Sequence, residues 1–120
     1  MLEFTPKAKD ALKRARETYG DINQIIVSIE EFNELSAILA KFSRYHNKST
    51  AVHELKSKVV DEVADVTIVL EHVKAIFEIS EKELGKRMEK KIERLDKWLD
   101  TSDDMEQTTI DREIPNTKDE

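Results

Sequence analysis

Residues 21–45 read DINQIIVSIEEFNELSAILAKFSRY, and this stretch decides the fold. Its apolar residues, Ile22, Ile25, Ile29, Phe32, Leu35, Leu39 and Phe42, recur at threes and fours, which is the period of an amphipathic helix and not of a strand. The spacing predicts a helix from about Ile22 to about Tyr45, with Asp21 able to cap it. A polar run, His46-Asn47-Lys48-Ser49-Thr50, reads as a loop.

A second long helix follows, starting between Thr50 and Ser57 and running to about Glu78. Its apolar set is Val59, Val63, Val66, Val69, Leu70, Val73, Ile76 and Phe77. Many of these are β-branched, but the spacing of three and four persists over several turns and strict alternation does not. Upstream, Thr5-Pro6 pairs an N-cap with proline at the first helical position, and a short helix runs through Tyr19 to a stop at Gly20. Ala8, Leu12 and Ala15 give that helix only a thin apolar stripe, so it should pack peripherally. Downstream, Ser80-Glu81-Lys82-Glu83 matches a capping box and opens a helix through about Leu99, with Leu84, Met88, Ile92, Leu95 and Leu99 inward. The fold class expected is all-α with four helices over residues 1–99.

Composition agrees. Two Gly and two Pro among 120 residues leave little material for hairpins. A chain this short has a moderate core at best, so self-association would help it. There is no Cys, which excludes disulfides and thiolate metal sites. With no signal peptide and no membrane-length apolar run, the expectation is a cytoplasmic protein without a membrane partner. Residues 100–120 hold eight acidic and two basic side chains, so this segment carries the whole net charge of −6. It reads as an acidic, flexible tail. The balanced remainder is not a nucleic-acid binder by bulk charge.

Two acidic clusters interrupt the apolar helices. Glu31 and Glu34 stand three apart on the first long helix; Glu62 and Asp65 do the same on the next. At 100° per residue Glu31 falls inside the apolar arc, between Leu35, Ile38 and Phe42, and Glu34 at its edge. Glu62 lies between Val69 and Val73, and Asp65 borders Ile76. Glu30 and Asp61 point further out, as solvated residues do. Carboxylates are rarely buried without a partner, and Asp65 is a poor helix-interior residue with no cap to justify it. If the helices pack antiparallel, the four groups meet. Two readings then stay open: a hard cation such as Mg²⁺ or Mn²⁺ on an all-oxygen site, or cross-pairing with the Lys and Arg residues of the last helix. A di-iron bundle would want Glu-x-x-His on two helices, and none of His46, His53 and His72 follows a Glu by three. His72, on the flank of its helix, reads as interfacial or solvated.

The order Ile29-Glu30-Glu31-Phe32-Asn33-Glu34-Leu35, then Asp61-Glu62-Val63-Ala64-Asp65-Val66, resembles the MazG-like nucleotide pyrophosphohydrolases of the all-α NTP pyrophosphatase superfamily. The likeness covers about Tyr19 to Leu99. It includes Lys91-Ile92-Glu93-Arg94-Leu95, which looks like the basic closing helix of the small phage and Gram-positive members. No Asn lies between Asn47 and Asn116, so the Asn that accompanies those basic residues in larger members has no counterpart.

The resemblance implies a four-helix module completed as a homodimer or homotetramer. It implies Glu31, Glu34, Glu62 and Asp65 as Mg²⁺ ligands, with Mn²⁺ as a substitute. It makes Lys91 and Arg94 contacts to a nucleoside triphosphate, and hydrolysis to monophosphate and pyrophosphate the reaction. Glu31 or Glu34 would serve as the base toward water. The competing expectation is a helical interaction module that keeps this fold without catalysis.

Overall fold

The computed structural model of the chain describes residues 3–45 and 51–102. It is all-α, with four helices: α1 (Pro6–Tyr19), α2 (Asp21–Tyr45), α3 (Ala51–Ile76) and α4 (Glu81–Ser102). The polar run 46–50 and the acidic segment beyond residue 102 lie outside the described residues. The chain forms two compact units, Met1–Glu78 and Ile79–Glu120.

The helix boundaries follow from local chemistry. The Thr5 hydroxyl accepts the Ala8 amide at 3.1 Å, and Pro6 occupies the first turn of α1, where its missing N–H costs nothing. Gly20, at φ 90°, ends α1 while its amide bonds the Arg16 carbonyl. Gln24 N–H reaches the Gly20 carbonyl at 3.2 Å, so α2 begins at Asp21 itself. Asp21 thus sits in the first turn, where an acid suits the helix dipole, and not at the cap expected of it. Helix α3 stops at Ile76, two residues short of the expected Glu78. Glu78 takes a left-handed conformation (φ 54°), unusual for a residue with a Cβ. Ser80 and Glu83 bond reciprocally, amide to carboxylate at 2.9 Å and amide to hydroxyl at 3.0 Å, and start α4 as the capping box predicts.

In the first unit α2 and α3 form the main pair, and α1 packs across both. As the thin stripe predicts, α1 has no fully buried residue. Most of the apolar set that the sequence places inward is withdrawn from water: Ile25, Phe32, Leu35, Phe42, Val59, Val66, Val73 and Ile76 are half-buried. Val69 is buried (5% exposed), and so are the polar residues Gln24, Ser28 and His72. Ser28, 1% exposed, returns its hydroxyl proton to the Gln24 carbonyl one turn back, so a small, self-satisfied residue sits in the interface. His72 Nδ1 meets an Arg16 guanidinium nitrogen at 3.1 Å, which ties α3 to α1.

Ile22, Ile29 and Leu39 on α2, and Val63, Leu70 and Phe77 on or just beyond α3, are exposed. The apolar arcs of both helices are wider than one neighbour can cover. Ile25, Phe32 and Leu35 on α2 and Val66 and Val73 on α3 are half-buried, and the outer part of each arc stays exposed. In the second unit α4 likewise keeps Met88, Ile92 and Leu99 exposed, with Leu84 and Leu95 half-buried.

Candidate metal centre

Helices of 25 and 26 residues joined by a short segment can pair only antiparallel. Their register brings the two acidic clusters to the same height. Glu31, Glu34, Glu62 and Asp65 each offer a carboxylate oxygen, and these four oxygens lie within 4.8 Å of one another. Glu34 is exposed and the other three are half-buried. Glu30 and Asp61 point outward, as their angular positions require.

Two oxygens are sealed from water without a hydrogen-bond partner, Glu31 Oε1 and Glu62 Oε1. A buried carboxylate oxygen left unpaired costs the desolvation of a charged acceptor. Protonation reduces that cost. The Glu31 carboxyl is pushed up to about 7, first by burial and then by the negative charges of Glu34 and Asp65. Glu62 is raised as well, for the same causes: burial first, then Glu34 and Asp65. Burial here concerns one oxygen of each group, while the rest of the side chain reaches the rim.

Four convergent carboxylates, two of which carry an oxygen sealed from water, fit a hard divalent cation that would neutralise the crowding. Cross-pairing to Lys or Arg of the last helix, the other reading of the clusters, would draw on cations of the second unit. Two ion pairs among the described residues of the first unit, Asp10–Arg14 (2.9 Å) and Glu71–Lys74 (2.7 Å), are each local to one helix. Lys91 and Arg94 stand three apart on one face of α4, in the second unit, and both are half-buried. His72, read as interfacial or solvated, is interfacial: it is 4% exposed and away from the acids. Because a guanidinium only donates, Nδ1 must accept, which leaves a neutral ring with its proton on Nε2. Burial, and secondarily Arg16, lowers its pKa.

The sequence reading missed a feature beside the acids. A groove of about 470 Å³ between α2 and α3 runs from Glu34 and Glu62 to two lysines, Lys41 and Lys58. Helical register was the available signal: Lys41 lies seven residues after Glu34 and Lys58 four before Glu62, on the faces those carboxylates occupy. No protein-family model, curated protein or solved structure matches the chain.

Proposed function

We propose that this chain is a Mg²⁺-dependent nucleoside triphosphate pyrophosphohydrolase acting as a homo-oligomer in the cytoplasm. The observation that carries the reading is the convergence of Glu31, Glu34, Glu62 and Asp65 with two orphaned oxygens among them. The order of the two clusters along the chain, which resembles MazG-like enzymes, selects phosphoanhydride chemistry among the reactions a hard cation supports.

Bound Mg²⁺, with Mn²⁺ as a substitute, would polarise the α-phosphate and lower the pKa of a water molecule. The four carboxylates hold it. Glu34, exposed and opening on the groove, is better placed than Glu31 to orient that water and accept its proton. The water oxygen bonds to the α-phosphorus as the bond to the α–β bridging oxygen breaks, and pyrophosphate leaves. Lys91 and Arg94 are the cations assigned to the leaving phosphates by resemblance.

A panel of NTPs and dNTPs with Mg²⁺, assayed for pyrophosphate, tests the activity. Release by the wild type, and its loss in Asp65→Asn and Glu34→Gln, is the expected result. No release from any substrate, or undiminished release by both variants, sinks the catalytic reading.

The exposed apolar residues Ile22, Ile29, Val63, Leu70 and Phe77 support assembly of copies. The same residues favour the second reading, a non-catalytic module that binds a different helical partner. The two readings separate on metal. The enzyme gains thermal stability from Mg²⁺ with nucleotide, and the module gains none.

A further inference from the structure

The groove beside the acidic centre carries a consequence for how a substrate lies. Glu34 and Glu62 form its acidic end. Ala37 and Ile38 line its middle with no hydrogen-bonding side chain, so that stretch offers nothing to read a base. Lys41 and Lys58 line its other end, one from each helix. On an α-helix, seven residues advance about 10 Å and four about 6 Å. The two ammonium groups therefore stand beyond the carboxylates in the same direction, toward the α2 C-terminus and the α3 N-terminus. Both lysines are exposed, and neither is held in an ion pair with a described residue. That is notable for Lys58, which has Asp61 and Glu62 three and four residues along its own helix, at ion-pair spacing.

We infer that Lys41 and Lys58 bind the distal phosphates of a polyphosphate chain whose α-phosphate sits at the acidic centre. The inference rests on the phosphoanhydride reading and deepens it. The chain of phosphates runs along the groove, and the leaving pyrophosphate is gripped from both helices at once, a role the resemblance alone gives to Lys91 and Arg94. The nucleoside then lies at the opposite side of the carboxylates, outside this groove.

Charge sets an order of binding. Glu34, Asp61 and Glu62 outnumber the two lysines along the groove, so an anion is repelled until a cation occupies the carboxylates. Metal precedes polyphosphate. The contacts are to phosphate oxygens alone, so inorganic triphosphate is a sufficient probe.

The experiment measures calorimetric binding of inorganic triphosphate to the full chain, with and without Mg²⁺. It compares wild type, Lys41→Gln, Lys58→Gln, Lys41→Arg and a Lys86→Gln control on α4. Mg²⁺ alone is followed by thermal shift. Wild type should bind triphosphate only with Mg²⁺. Each Gln variant should weaken it about tenfold or more, the loss of a charge-assisted contact. Lys41→Arg should recover most of the affinity, Lys86→Gln should match wild type, and the Mg²⁺ shift should persist throughout. Wild-type affinity in both Gln variants overturns the lysine assignment while leaving the phosphoanhydride reading standing. Absence of triphosphate binding by the wild type, despite a Mg²⁺ shift, overturns both.

Discussion

Replacing Glu31 by Gln should stabilise the metal-free protein at pH 8, although it alters a residue of the candidate site. The Glu31 carboxyl has its pKa raised from 4.5 to about 7 in the folded chain. Between those values the folded state holds a proton that the unfolded state has lost. Its stability is therefore full below pH 4.5 and falls as pH rises through 7. Taken at face value the shift corresponds to about 3.5 kcal/mol at about 1.4 kcal/mol per pKa unit. The side chain is only half-buried, and water and salt at the rim screen the repulsion, so about 1 kcal/mol is the realistic gain. In a domain of this size that raises Tm by about 4–8 °C. Gln keeps the shape, removes the charge and can donate to Glu34. The assay is a pair of melts in chelator, wild type against Glu31→Gln, at pH 8 and pH 4.5, repeated with excess Mg²⁺. The variant should lead at pH 8 in chelator and lose that lead at pH 4.5. With Mg²⁺ the wild type should rise, by about 2.7 kcal/mol at a hundredfold excess over Kd, and the variant much less. A Gln variant less stable than wild type at pH 8 in chelator, or one that gains equally from Mg²⁺, refutes the picture of a crowded centre awaiting a cation.

Two other outcomes follow from the same geometry. His72 has a folded pKa below its ordinary 6.5, so its contribution is complete above pH 6.5 and is lost as pH falls through the lowered value. Urea melts between pH 7.5 and 5 should show that loss, and His72→Gln should flatten it; an unchanged slope counts against the Arg16–His72 contact as the cause. Leu70→Ser removes an exposed apolar side chain and should cost the monomer less than 0.5 kcal/mol. Sedimentation should nonetheless show a smaller assembly or a weaker one, and an unaltered distribution would remove Leu70 from the contact.

Much of this was legible in the residues. Periods of three and four gave all four helices, and short-range chemistry gave their starts, as at Thr5-Pro6 and the Ser80–Glu83 box. The acidic centre was legible because carboxylates at Glu31 and Glu62 contradict the arcs in which they lie, and a contradiction of that kind needs a long-range partner. What periodicity does not carry is direction. It measures how wide an apolar arc is, not which edge of it meets the neighbouring helix. So Ile22, which the periodicity places on the apolar face, is 73% exposed, while the polar Ser28 and Gln24 are buried. The Arg16–His72 bond joins residues 56 apart and is set by how α1 crosses α3, which no local pattern encodes. Lys41 and Lys58 look like ordinary solvated cations until the groove between their helices exists.

The shallow burial of apolar side chains in the α2–α3 pair also has a calorimetric consequence. Unfolding exposes apolar surface, and that exposure sets the heat-capacity increment, about 12–15 cal/mol/K per residue for ordinary domains. Among the described residues of a single copy, Val69 is the apolar side chain fully withdrawn from water and Ile25, Phe32, Leu35, Val66 and Val73 are only half-buried, so there is less such surface to expose than in an ordinary domain. Its increment, and the curvature of its stability against temperature, should be correspondingly shallow. Covering Ile22, Ile29, Val63 and Leu70 in an assembly would restore both. If copies of the chain associate through those residues, its heat capacity becomes a function of its own concentration, and dilution flattens the stability curve before it unfolds the protein.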